Sequence, residues 1–327
     1  MKTKLLIGAL VVTMVFSLTG TVLAEKYVLK LGILSAAGGL EDQAAQKIAA
    51  VAAEKSGGQL EVQVFPAAQL GNFISQMESL AMGTQAMLWG DLGWLGNFVK
   101  DYQIQIMPYA FRSQAHLDKF MDSQLALDLE KQLEGKGYLL LSKHAYQLPK
   151  VTVSKKPIFS PDDLKGIKMR LPEWPIAMKA WEALGTNVTI VSWGEVYLAL
   201  AQGVADAMEC GFEFIYPAKF NEVAKYITRT NHLFGCRGAI IGKVSYGKLP
   251  AEMQTALKEA CLAGEKHYNT LVEQARVEHT KKILASGANI IEVNTIPFME
   301  KVLPIVDTLE DEGFWSKGFY QKIQEIK

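Results

Sequence analysis

Three cysteines in 327 residues are too few for a disulfide framework, which excludes the small secreted folds that such bridges hold together. Cys210 and Cys236 are the pair to test as a single bridge; the alternative is that all three thiols are free and buried. Net charge is also missing. Lys and Arg number 34, Asp and Glu 34, and no basic run stands out, so nothing supplies the electrostatic footprint of a nucleic-acid binder. Beyond residue 24 no segment is apolar enough to span a bilayer. Internal repeats and low-complexity linkers are absent as well, so any two domains must be joined through ordered structure.

What is present begins with a leader. Lys2 and Lys4 form a short basic start, Leu5 to Phe16 an apolar run, and Thr21-Val22-Leu23-Ala24 offers small residues at the positions a signal peptidase reads. The run is shorter than the roughly 20 residues of a spanning helix, and no cysteine sits at the cleavage point to take a lipid. Residues 1–24 therefore read as a signal peptide, and the mature protein is expected in the periplasm. Two lysines leave with it, so 32 basic side chains face 34 acidic ones in the remaining 303 residues. That length exceeds the usual single core and predicts two domains.

Strand and helix signals alternate along the chain. Tyr27 to Leu31 and Leu60 to Val64 show period-two patterning; Glu41 to Lys55 and Phe73 to Met82 read as helices closed by glycines. The pattern repeats in Ile167–Leu171 (strand), Trp174–Leu184 (helix), Asn187–Val191 (strand), Gly194–Ala201 (helix) and Ala205–Glu209 (strand). This predicts an α/β fold with mixed, mostly parallel sheets flanked by helices. Pro250 opens an unusually long helical run to Ser286, about 54 Å at 1.5 Å per residue. It is either two helices broken near Gly264 or one helix bent there and spanning both lobes.

Motifs for chemistry are scarce. Gly242 to Lys248 fits seven positions of a phosphate-binding loop, but Leu249 stands where Mg²⁺ needs Ser or Thr. No dinucleotide fingerprint follows a predicted strand, and Lys243-Val244-Ser245-Tyr246-Gly247 lacks the first glycine of a nucleophile elbow. The five histidines (His116, His144, His232, His267, His279) never pair at metal-ligand spacing and read as surface or satisfied core residues. No cofactor, metal or nucleotide is expected, and catalysis is not. An enzyme assembled from scattered residues stays open as the competing class, a secreted α/β hydrolase acting on an organic acid.

Residues 160–232 are the most informative. Ser160-Pro161-Asp162-Asp163-Leu164-Lys165-Gly166 reads as a capped turn feeding Ile167-Lys168-Met169-Arg170-Leu171-Pro172. Ala183-Leu184-Gly185 follows, then Gly194-Glu195-Val196-Tyr197-Leu198-Ala199-Leu200, then Gly203-Val204-Ala205-Asp206-Ala207-Met208-Glu209. Upstream stand Gly57-Gly58, Val64-Phe65-Pro66 and Gln69-Leu70-Gly71. This ordered set resembles the signature of TRAP transporter receptors, the DctP-type family of solute-binding proteins, over residues 28 to at least 250. The resemblance implies a monomeric two-lobed periplasmic binding protein, with lobe one at 25–147 and 236–275 and lobe two at 148–235 and 276–327. It implies capture of a small organic acid between the lobes and delivery to membrane permease subunits.

Arg170, at an apolar strand end, is costly to bury without an anion; from the residues alone it is either a ligand clamp or half of a structural ion pair. Its planar fork suits a carboxylate, and the resemblance makes it the family's carboxylate clamp. Lys150 stands where the family often has a second basic ligand residue, here a point charge expected near a solvated rim. Trp193 takes the aromatic position that packs on the ligand. Glu209 and Cys210 lie in the run Met208-Glu209-Cys210-Gly211, where an Asn of the family pattern is replaced by Cys210. Asp91 stands among solute-facing polar positions; an acid there suits hydroxyl or ammonium groups and disfavours a second carboxylate. With Trp89, Trp94 and Trp174 also in play, a polyhydroxy or aromatic monocarboxylate is favoured over a dicarboxylate.

Overall fold

The computed structural model describes residues 26–327; the signal-peptide reading of residues 1–24 lies outside the described residues. Strands β1 (Tyr27–Gly32), β2 (Leu60–Phe65), β3 (Met87–Asp91), β4 (Tyr138–Leu140) and β5 (Ala145–Tyr146) come first. Next are β6 (Lys150–Ser154), β7 (Lys168–Leu171), β8 (Asn187–Ile190), β9 (Ala207–Gly211) and β10 (Tyr226–Leu233). Then come β11 (Cys236–Gly242) and β12 (Asn289–Glu292). One sheet has the order β2-β1-β3-β11-β4, with β5 also on β11; the other has β12-β10-β6-β9-β7-β8. Helices flank both.

Local sequence explains the pieces. In β1, Leu29 and Leu31 are buried while Val28 and Lys30 face outward, the alternation of a half-covered strand. The helix Phe73–Met82 starts where the Asn72 side chain accepts from the Ser75 N–H at 3.0 Å and stops where Gly83 turns left-handed. Ser160 and Asp163 form a capping box on the turn before β7.

Parallel pairing does not dominate as the alternation suggested. β1 lies parallel to β2 and β3, and β7 to β8 and β9, but β11 runs antiparallel to β3, β4 and β5, and β6 antiparallel to β9 and β10. The cause is connectivity. Residues 147–149 carry the chain directly from β5 into β6, and residues 234–235 carry it from β10 into β11. Each strand arrives from the other sheet without a helical crossover, so parallel pairing is not imposed on it.

Ala251–Ala285 is one uninterrupted 35-residue helix, which removes the two-helix alternative. Gly264 serves contact: a Cβ there would meet Ile48 Cγ1 at 2.3 Å and the Ala44 carbonyl at 3.0 Å, so its absence lets the helix Leu40–Lys55 approach. Farther along, His279 Nδ1 bonds the Glu213 carbonyl at 3.0 Å beneath the second sheet, so the helix reaches both sheets. One apolar core joins Leu88, Met169, Leu171 and Trp174; the other joins Leu31, Trp89, Met208, Leu257 and Tyr268. Both cores therefore run from one sheet to the other. The C-terminal segment bridges as well. Arg112 donates to the Ile326 carbonyl (2.6 Å) and Gln324 to that of Ala110 (2.7 Å), while Lys179 pairs with Glu312.

Candidate ligand-binding cleft

Between the sheets opens a cleft of about 650 Å³. It lies off the carboxyl ends of β3, β7 and β9, where ligands collect in open α/β sheets. Because β6 and β11 run antiparallel, their first residues, Lys150 and Cys236-Arg237, fall at that same end. Arg170, Lys150, Trp193, Asp91, Cys210 and Glu209 all line this one cleft, so the six residues singled out from sequence are brought together.

Arg170 is 2% exposed. Its Nε and Nη2 both donate to the Val191 carbonyl, at 2.8 and 2.6 Å, which fixes the plane of the guanidinium. No carboxylate lies within direct ion-pairing distance of it among the described residues, although the charge of Glu209 still acts on it. Burial pulls its pKa down to about 10, with the Glu209 charge and Cys210 opposing the shift. The result is a dry, oriented cation that has no direct ion pair and feels Glu209 only at longer range.

Lys150 corrects the expectation of a solvated rim: it is 5% exposed. Its Nζ sits 3.3 Å from both Glu209 oxygens and 4.0 Å from the centre of the Trp174 ring. Glu209 also meets His232 Nε2 at 3.4 Å. Burial alone would raise the Glu209 pKa; Lys150, His232 and Arg170 outweigh it and hold the carboxylate at about 2. Burial lowers the pKa of His232, with Glu209 opposing the shift, and its Nδ1 contacts Thr230 Oγ1 at 2.9 Å. Glu209 and Lys150 thus form a direct pair in the cleft floor, and Arg170 has no direct ion-pair partner among the described residues.

Trp193, 38% exposed, stands at the mouth, edge-on to Phe214 (5.8 Å) and Phe220 (5.3 Å), and 5.9 Å from the Arg170 guanidinium. Asp91 accepts from the Gly93 N–H (2.9 Å) and from Gln147 Nε2 (2.8 Å), which ties the first sheet to the crossing segment 147–149. Cys210 is a free, buried thiol with its pKa raised by burial; Cys236 and Cys261 are free and buried too, which settles the cysteine question against a bridge. None of the five histidines lines the cleft.

Sequence reasoning missed Arg237 and Glu41, an ion pair on the opposite wall, and the role of Trp174 in holding Lys150. Arg237 could have been noticed as the lone charge in the apolar strand Cys-Arg-Gly-Ala-Ile-Ile-Gly. Glu41 gave no signal, because acids in the first turn of a helix are common for reasons of the helix dipole alone.

Comparison with known proteins agrees with this arrangement. The profile of bacterial extracellular solute-binding protein, family 7 matches residues 32–312. The C4-dicarboxylate-binding periplasmic protein of Rhodobacter capsulatus is 30% identical over 277 residues, covering 84% of this chain and 83% of its own. A TRAP periplasmic solute-binding protein from Chromohalobacter salexigens with bound D-glucuronate superposes with a TM-score of 0.87 at 25% identity, over 91% of this chain and all of that one. Another from Fusobacterium nucleatum, with sn-glycerol-3-phosphate, gives 0.86 at 28% identity, over 91% and 96%. The chain therefore belongs to the extracellular solute-binding proteins of family 7, the two-lobed receptors of TRAP transporters.

Proposed function

We propose that this chain is a periplasmic receptor that captures a small monocarboxylate (a sugar acid, a hydroxy or keto acid, or an aromatic acid) and delivers it to a TRAP membrane permease. One observation carries the reading: a buried guanidinium, held planar by the Val191 carbonyl, has no anion of its own and lines the cleft. A ligand carboxylate would supply the missing charge with bidentate geometry. Relatives named for binding C4-dicarboxylate and 2,3-diketo-L-gulonate support organic acids as the ligand class.

The receptor works as a monomer without cofactor, and its leader, residues 1–24, is removed on export. Its lobes are residues 25–147 with 236–275 and 148–235 with 276–327. Arg170, Lys150, Glu209, Cys210 and Trp193 then belong to the second lobe and Asp91 to the first, so one solute touches both and stabilises the closed form. The test is a thermal-shift screen of organic acids, followed by calorimetry and by mass analysis of each stabilising solute after incubation. A stabilising acid recovered unchanged is expected; chemical turnover of that acid, or no stabilisation by any carboxylate, rejects the receptor.

A further inference from the structure

Across the cleft from Arg170, the first-sheet wall carries a charged group that the carboxylate clamp does not use. Arg237, the second residue of β11, pairs in register with Asp91 of β3. It is ion-paired with Glu41, whose other carboxylate oxygen accepts from Ser35 Oγ, and its guanidinium lies 5.0 Å from the Phe214 ring. Arg237, Glu41, Asp91 and Trp89 all line the cleft. Buried polar atoms here that make no hydrogen bond among the described residues include Arg237 Nε, Trp89 Nε1 and the Tyr268 hydroxyl, and on the acceptor side Glu41 Oε1 and both Glu213 oxygens. The Tyr268 ring packs 5.8 Å from Trp89. Such groups are rare in folded proteins, and a cluster of them beside a cavity calls for an occupant.

We infer that this wall is a hydroxyl-reading subsite, and that it selects a hydroxylated monocarboxylate over a dicarboxylate, an unsubstituted fatty acid or an aromatic acid. The inference rests on the Arg170 clamp holding the carboxylate at the other end. The charge of Arg237 is already met by Glu41, and Asp91 adds a second acid, so the wall is net negative and repels another carboxylate. An ammonium would suit the acids but would face Arg237 and leave the guanidinium and indole N–H groups without acceptors. An apolar ring would satisfy none of them. A hydroxyl both donates and accepts, so among these ligand groups it is the one that can serve N–H donors and carboxylate acceptors side by side.

The test is calorimetry of the mature chain with aldonates of four to six carbons, hexanoate, adipate and benzoate. The best aldonate is expected to bind at least about tenfold more tightly than the other three, the worth of one or two hydrogen bonds. Trp89→Phe keeps the ring and removes only the N–H; it should weaken the aldonate about tenfold and leave hexanoate unchanged. Glu41→Gln frees the Arg237 charge and should narrow the gap between aldonate and adipate. Melting temperatures of both variants report folding separately. Hexanoate, adipate or benzoate binding as tightly as the best aldonate, no aldonate binding at all, or variants that shift every ligand equally, would overturn the subsite. Methyl esters separate the two readings. An ester that binds as well as its acid sinks the Arg170 clamp, whereas acid-dependent binding that ignores hydroxyls sinks only this wall.

Discussion

At the level of single residues, the cleft separates two kinds of buried cation. Lys150 and Glu209 compensate each other, whereas Arg170 has only a carbonyl. Arg170→Ala should cost about 2–5 kcal/mol of binding, roughly 30- to several-thousand-fold in affinity, because the ligand carboxylate would be left desolvated and unpaired. Arg170→Lys should rescue little, since a point charge lacks the fork. Isothermal titration with the best acid from the screen checks both. Lys150→Ala should act differently: it strands Glu209, so the melting temperature should fall first, by the equivalent of about 3–5 kcal/mol. If Lys150→Ala melts like the parent and only binding suffers, Lys150 is a ligand residue and not part of the floor.

Glu213 supplies a pH dependence. It is wholly buried, neither carboxyl oxygen makes a hydrogen bond of normal geometry, and burial raises its pKa to about 8, offset only in part by nearby N–H groups and by Arg237. A folded-state pKa above the unfolded one means the folded protein holds this proton more tightly. The contribution is therefore fully present below about pH 4.5 and is lost as pH rises through 8. Glu213→Gln should lose less stability than the parent between pH 5 and 8 in a melting series. Parallel curves for the two proteins would show that Glu213 does not titrate in that window.

At the level of elements, the long helix gives the clearest expectation. Gly264→Ala drives a methyl into Ile48 and should destabilise by about 1–3 kcal/mol, the cost of overpacking, although alanine is the better helix former. Urea unfolding measures it; a stabilised variant would show that Leu40–Lys55 can move aside. Sequence carried this region only halfway. Composition marked the long helix, but Gly264 read equally as a break, because the reason for that glycine is a residue more than 200 positions away in the chain. The same limit governs the cleft. Arg170 and Trp193 sit inside a dense motif and were legible by resemblance. The Glu41–Arg237 pair joins a helix start to a strand start across the fold, and no local pattern encodes it. Strand positions were readable from period-two patterning, whereas the antiparallel course of β6 and β11 depends on crossings of two or three residues that carry no signature.

For the whole molecule, the question is what sets the cost of closing the cleft. Phe73 stacks on Trp94 at 5.8 Å, Trp94 meets Trp174 edge-on at 5.2 Å, and Trp174 carries Lys150 on its face, so an aromatic chain leads from the first sheet to the floor beneath the clamp. Trp94 lies between β3 and β4 on the chain and Trp174 between β7 and β8, so on the proposed lobe division their contact joins the two lobes. An aromatic pair is worth about 0.5–1.5 kcal/mol beyond the area it buries. Trp94→Ala should therefore shift the free protein toward open forms and weaken the best ligand about two- to tenfold, since a ligand that needs the closed state pays for its lower population. Small-angle scattering should give a larger radius of gyration for free Trp94→Ala than for the free parent. Saturating ligand should bring both to the same compact value. If the free proteins scatter identically while affinity still falls, Trp94 acts as a wall of the cleft and the aromatic chain is not a latch.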